Sequence, residues 1–181
     1  MPNAAVKTIK EIIYYQYAKI ISSSSGFGKT NYAIVMSKWK QLCSGEINWS
    51  STVREWLKEK EVPNCCIYCG EVKELTVEHI LPRCCGGEDI PDNVVMVCKS
   101  CNSSKGGKRL YEWGGLVSKD KHHRIAEGKY LKYLYLLHEK QGTLNCEANE
   151  MCSKCNLGSQ CEKENKKEQL SVYCIEGCFC K

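Results

Sequence analysis

Cys66-Ile67-Tyr68-Cys69 and Cys98-Lys99-Ser100-Cys101-Asn102 bracket the stretch Glu78-His79-Ile80-Leu81-Pro82, and these three runs decide how the chain is read. Two Cys-x-x-Cys loops supply four sulfurs, the complement of a tetrahedral structural zinc site. One pair alone is weak evidence. Two pairs around an acid–His dipeptide place a candidate metal ligand, a candidate general base and a second oxygen donor in one small unit. Leu75 to Ile80 alternates and is β-branched, Gly86-Gly87 to Asn93 reads as a loop, and Val94 to Val97 reads as a short apolar strand. A helix is expected after Cys101, through Leu110, Tyr111 and Trp113. Strand, loop, strand and helix bury little area, so such a unit needs a metal staple.

The bulk composition is consistent with this picture. A chain of 181 residues with 43% apolar residues and 15 cysteines allows one small catalytic unit with appendages. Lys7, Lys10, Glu11 and Gln16 interrupt any apolar run at the N-terminus, so no secretion signal is read there. Nothing is long and apolar enough to span a bilayer. The expected location is therefore cytoplasmic, with no membrane partner, and the paired cysteines read as reduced metal ligands rather than disulfides. The odd cysteine count also fits poorly with a complete disulfide framework.

The net charge of +5 is unevenly spread: +4 over residues 1–62, −1 over 63–115, +3 over 116–145 and −1 over 146–181. These segments are the expected organisation: a basic helical N-terminal region, a near-neutral core, a basic helix and a Cys-rich tail. Basic flanks suit a phosphate-bearing partner, although ordinary solvated helix faces give the same pattern. Val6, Ile9, Ile13, Tyr17 and Ile20 predict a helix from about Ala4 to Ile21. A second is expected over Thr30–Cys43, with Ala33, Met36, Trp39 or Lys40, and Cys43 along one side. The capping pattern Thr52-x-x-Glu55 predicts a third helix, ending by Glu61 before Pro63. A last helix, Arg124 to Glu139, offers Tyr130, Leu131, Leu134 and Leu137 to a core, with Lys129 and Lys132 outside.

A neutral imidazole at His79 can take a proton from water near neutral pH. Glu78 and the Asn102 side-chain oxygen are hard donors of the kind Mg²⁺ or Mn²⁺ prefers. Asn93 can hydrogen-bond the backbone near His79 and hold the loop. Taken singly, a strand His is more often merely packed, and a turn Asn is usually a turn former.

Residues from about 65 to 113 resemble the HNH endonuclease family. The likeness rests on Cys66-x-x-Cys69, Glu78-His79-Ile80-x-Pro82, Gly86-Gly87, Asn93 and Cys98-x-x-Cys101-Asn102-x-x-Lys105. It implies an α+β protein with a ββα-metal core that hydrolyses DNA phosphodiester bonds to 5′-phosphate and 3′-hydroxyl ends. His79 is the implied general base, Glu78 and Asn102 the implied ligands of a catalytic Mg²⁺ or Mn²⁺ ion, and Asn93 the residue constraining the loop. Cys66, Cys69, Cys98 and Cys101 are the implied structural zinc ligands. The chain departs from the commoner pattern in Glu for Asp before His79, in Asn for the last His, and in Cys84-Cys85, which read as spare thiols.

Beyond the core, Lys105, Lys108 and Arg109 are candidate phosphate contacts, and double-stranded DNA is the expected partner. Cys152, Cys155, Cys161 and Cys174, with Cys146 and Cys178 as substitutes, suit a second zinc or a 4Fe–4S cluster. Their spacing is similar to the three-cysteine cluster of some iron–sulfur nucleases and glycosylases. The tail carries too few apolar residues to order itself unaided. Gly26-Phe27-Gly28-Lys29-Thr30 ends like a P-loop, but Ser23 stands where the first glycine belongs, so it reads as a turn. Tyr14, Tyr15 and Tyr17, like Tyr130 to Tyr135, read as core rather than base-stacking residues. Two other functional classes remain: a non-catalytic zinc-stabilised nucleic-acid-binding module and an RNA-cleaving toxin.

Overall fold

The computed structural model describes residues 4–47, 59, 64–164 and 170–180. Seven α-helices and one two-stranded antiparallel sheet make up its regular structure among these residues, an α+β architecture. The chain divides into two compact units: residues 1–50 with 134–178, and residues 51–133 with 179–181. No helix among the described residues is long and apolar enough to cross a membrane.

In the first unit, α1 (Ile9–Ser24) starts later than its apolar periodicity suggests. The Thr8 hydroxyl accepts the Glu11 N–H at 3.3 Å and the Glu11 carboxylate accepts the Thr8 N–H at 3.0 Å, a capping box that fixes the first turn. Ile9, Ile12, Ile13 and Ala18 are fully buried, and Tyr14, Tyr15 and Tyr17 nearly so. The helix is therefore covered on most sides rather than along one stripe. In α2 (Tyr32–Ser44) the buried side chains are Val35, Trp39 and Leu42; of the side expected, Trp39 is buried while Ala33 and Cys43 are exposed. Trp39 selects that face, because its indole N–H donates to the Glu11 carbonyl at 3.1 Å. Gly26 to Thr30 forms a turn closed by the Ser22 hydroxyl on the Gly28 carbonyl at 2.7 Å.

Residues 146–178 of the Cys-rich tail belong to this unit. Main-chain N–H groups of Ile9 and Lys10 donate to Cys146 and Leu144 at 3.1 and 2.8 Å. Beyond α6 (Ala148–Cys152) and α7 (Gly158–Glu164), a 3-10 turn at Val172–Ile175 buries Tyr173 and Ile175 completely, together with Met151. His138 is fully buried with its Nε2 3.0 Å from the Ile175 carbonyl and its Nδ1 2.7 Å from the Thr143 hydroxyl. Burial pushes its pKa down to about 4.

The second unit is built on β1 (Leu75–His79) and β2 (Val94–Cys98), paired with Glu78 opposite Val95 and His79 opposite Val94. Alternation turns Glu78 inward and Val77 outward. The single helix expected from Cys101 to Trp113 is two: α3 (Lys99–Lys105) and α4 (Leu110–Ser118). Gly106 separates them with a φ of 53°, a value that favours glycine. In the last helix, α5 (Arg124–Gln141), Lys129 and Lys132 are buried rather than outside. The Lys129 ammonium donates to the Glu59 carboxylate and the Val94 carbonyl, both at 2.6 Å, which accounts for its inward placement. The helix expected over residues 52–61 lies outside the described residues except for Glu59. Cys85 is not a spare thiol: it forms a disulfide with Cys180, their Cα atoms 4.3 Å apart.

Candidate active site and metal clamp

Cys66 and Cys69 sit on a tight turn before β1, closed by the Gly70 N–H on the Cys66 carbonyl at 2.8 Å. Cys98 ends β2 and caps α3, its sulfur accepting the Cys101 N–H at 3.5 Å. The turn and the strand end bring all four sulfurs within 4.8 Å of one another, with Cys69 and Cys98 3.7 Å apart. Zinc–thiolate bonds of about 2.3 Å put tetrahedral sulfurs about 3.8 Å apart, so the group fits a thiophilic cation such as zinc. Burial raises the Cys66 thiol, but backbone N–H groups of Cys98, Cys69 and Tyr68 outweigh it and bring the pKa down to about 7. Cys101 is pushed strongly up, first by burial and then by its three sulfur neighbours. Four sulfurs this close cannot all ionise without a cation between them.

His79 closes β1 with its side chain 16% exposed. Its Nε2 lies 3.3 Å from Asp89 Oδ1 and 3.3 Å from Arg83 Nε. The two contacts belong to different tautomers: Asp89 accepts only when Nε2 carries the proton, and Arg83 donates only when it does not. With Asp89 engaged, Nδ1 holds the lone pair, and no described residue bonds it. Arg83 Nη2 also reaches Asp89 Oδ2 at 3.1 Å, so acid, base and guanidinium form one exposed cluster.

Asn93, buried and at the end of the intervening loop, fixes the chain after His79. Its Oδ1 accepts the Leu81 N–H at 2.8 Å, and its Nδ2 donates to the carbonyls of Leu81 at 2.9 Å and Glu88 at 3.0 Å. Gly87 permits this closure, because a Cβ there would stand 1.9 Å from the Leu81 oxygen. Residues 66–111 match the HNH endonuclease family model. The matched segment thus covers the sheet, the four clustered cysteines and α3. No curated protein and no solved structure matches the chain.

Within the HNH segment, Glu78 departs from the role of an open metal ligand. Its side chain is 4% exposed, with Oε1 2.5 Å from the Lys105 ammonium and Oε2 accepting the Tyr68 hydroxyl at 3.0 Å. Lys105, 0% exposed, also donates to the His79 carbonyl at 3.0 Å. Asn102 lies half-buried on α3, one turn before Lys105. The oxygen donors of Glu78 and Asn102 suit a hard cation in kind, but the arrangement does not fit one, because both Glu78 oxygens are already engaged. Tyr68, in tilted contact with Trp113 at 5.1 Å, is held far toward its protonated form by burial and by the Glu78 charge.

Of the three basic residues expected at phosphate, only Lys108 is exposed. Lys105 turns inward to Glu78, and Arg109 is buried with its Nε on the Glu112 carboxylate at 2.9 Å. The groups that sequence reasoning passed over are Tyr68, Arg83, Asp89 and the inward role of Lys105. All four lie inside or beside the motifs, Tyr68 between two clamp cysteines and Arg83 directly after Pro82. In the first unit, Cys161 Sγ stands 3.6 Å from the Ser171 hydroxyl, which is 3.9 Å from Cys174 Sγ. Cys152 and Cys155 close a turn by the Cys155 N–H on the Cys152 carbonyl at 3.3 Å. The tail cysteines are not drawn together as the clamp is: the sulfur groups within 4.8 Å among the described residues are the clamp and Cys84, Cys85 and Cys180.

Proposed function

We propose that this chain is a DNA endonuclease in which His79 is the general base. The observation that carries the reading is a strand-end histidine whose Nε2 lies against Asp89, beside a loop locked by Asn93 inside an HNH segment. His79 Nδ1 takes a proton from water as the oxygen attacks phosphorus in line. The bond from phosphorus to the 3′ oxygen breaks, leaving a 5′-phosphate and, after protonation from solvent, a 3′-hydroxyl. His79 then returns its proton to bulk water. Asp89 orients the imidazole through Nε2, and the exposed Arg83 guanidinium meets the phosphate on the same side. Lys108 adds a phosphate contact along the duplex.

Zinc is the proposed resident of the four-cysteine clamp, with a structural role. Cys152, Cys155, Cys161 and Cys174 are the proposed ligands of a second metal centre. Their Cys-x-x-Cys pair with two more distant thiolates suits a 4Fe–4S cluster and a second zinc ion alike. Brown colour with broad visible absorption in anaerobically purified protein supports the cluster, and colourless protein containing two zinc ions overturns it. The thiol-rich clamp suits a reducing compartment such as the cytoplasm.

One observation favours a second reading. The closed Glu78–Lys105 pair is what a zinc-stabilised nucleic-acid-binding module without catalysis would also carry. Incubation with supercoiled DNA, with and without Mg²⁺, separates the two. The nuclease nicks the plasmid, and His79→Ala lowers the rate by about 10²- to 10⁴-fold. Equal nicking by wild type and His79→Ala overturns the assignment. Preferential cleavage of structured RNA replaces DNA as the substrate.

A further inference from the structure

Glu78 and Lys105 form an ion pair with almost no solvent exposure, inside the segment where the HNH likeness expects a metal-binding carboxylate. We infer that Lys105 is a displaceable counter-cation: its ammonium stands where a divalent ion would sit, and such an ion reaches Glu78 only by displacing it. The inference rests on the HNH reading of Glu78.

The geometry supports exchange rather than sharing. Lys105 Nζ bridges Glu78 Oε1 and the His79 carbonyl, so a second cation on that carboxylate meets a like charge within a few ångströms. Oε2 offers no easier approach, because the Tyr68 hydroxyl caps it beneath the Trp113 ring. Lys105 is also placed to leave. It is the last residue of α3, Gly106 and Gly107 follow it, and both glycines are exposed. Unwinding that last turn gives up the Gly106 N–H bond to the Asn102 carbonyl, the Lys108 N–H bond to the Lys105 carbonyl and the burial of the Lys105 side chain, a cost that cation binding to Glu78 must offset. The same movement shifts Asn102, the other expected oxygen donor, so departure of the ammonium and arrival of a cation are coupled through one short helix. Metal affinity is then set by a residue that never touches the metal.

The test uses zinc-loaded full-length protein and Mn²⁺ alone, without DNA, followed by the loss of the free-ion EPR signal. Lys105→Met should bind one Mn²⁺ about 10- to 100-fold more tightly than wild type, the range by which partners outside the ligand set change metal affinity. The gain should vanish in the Glu78→Gln, Lys105→Met double variant. Should Lys105→Met fail to fold, wild type carrying ¹⁵Nζ-lysine gives the same answer by NMR. The buried Lys105 ammonium resonance, assigned by its loss in Lys105→Arg, should move to the position of exposed lysines as Mg²⁺ is added.

Equal Mn²⁺ affinity in wild type and Lys105→Met overturns the inference, as does an unmoved resonance while Mg²⁺ binds. Absence of binding in both proteins overturns it too. The result is independent of cleavage: a protein that exchanges the cation yet cuts nothing keeps this inference and loses the nuclease reading. One that cuts DNA with unaltered Mn²⁺ affinity does the reverse.

Discussion

Asn93 pairs with Leu81 through both of the latter's main-chain polar groups, accepting its N–H and donating to its carbonyl at 2.8 and 2.9 Å. A side-chain amide here imitates a neighbouring strand for one residue past β1, where the sheet has ended. Asn93→Ala leaves these buried groups unpaired and should destabilise the protein by roughly 1–3 kcal/mol, read from denaturant midpoints. Nicking activity should fall further than the stability loss explains, because His79 lies two residues before Leu81. An unchanged rate in the folded variant would remove the positioning role.

Metal removal gives a second expectation. Structural zinc sites contribute on the order of 10 kcal/mol of binding free energy, more than a unit of this size gains from its core. Cys98→Ser should therefore lose one zinc per chain by elemental analysis and lose hydrogen-exchange protection across Leu75–His79 and Val94–Cys98. Retained protection in zinc-free protein would make the clamp dispensable.

The buried His138 sets an acid limit on the first unit. Its pKa is about 4 in the fold against an ordinary value of 6.5, so between these values the unfolded chain binds the extra proton. The stability associated with neutral His138 is complete above pH 6.5, falls as pH drops from 6.5 to 4, and is flat below. A loss of about 3 kcal/mol is expected across that window. Denaturation at a series of pH values should show this slope in wild type and its absence in His138→Gln.

The Cys85–Cys180 disulfide links residues 95 apart in sequence. Closing a long loop restricts the unfolded chain, and Cys180→Ser should lower stability by roughly 2–4 kcal/mol under oxidising conditions. With a thiol reductant present, wild type and variant should coincide. Peptide mapping without reductant should recover a cross-linked peptide carrying both cysteines.

Much of the core was legible because its signals are short-range: Cys-x-x-Cys turns, a period-two strand and a glycine pair after Pro82. The Glu78–His79 dipeptide marks the site for the same reason. Less legible were features decided by distant partners. Lys105 and Lys129 read as surface cations because charge predicts exposure, yet Glu78, Glu59 and the Val94 carbonyl draw them inside. The buried face of α2 turned on Trp39 finding the Glu11 carbonyl 28 residues earlier. The attachment of residues 144–147 to the start of α1 was also hidden, because main-chain pairing at such separation leaves no local signal. The Thr8-x-x-Glu11 capping box was visible in the sequence and would have corrected the α1 start.

Cys98 ends a strand, caps a helix and belongs to the sulfur clamp, and it follows Cys69 by 29 residues. During synthesis the His79 strand therefore leaves the ribosome well before its clamp is complete. Until Cys98 and Cys101 emerge, that strand has neither its pairing partner nor a full set of sulfurs, so the sheet cannot close. The order of residues along the chain thus delays assembly of this unit until its second cysteine pair is made.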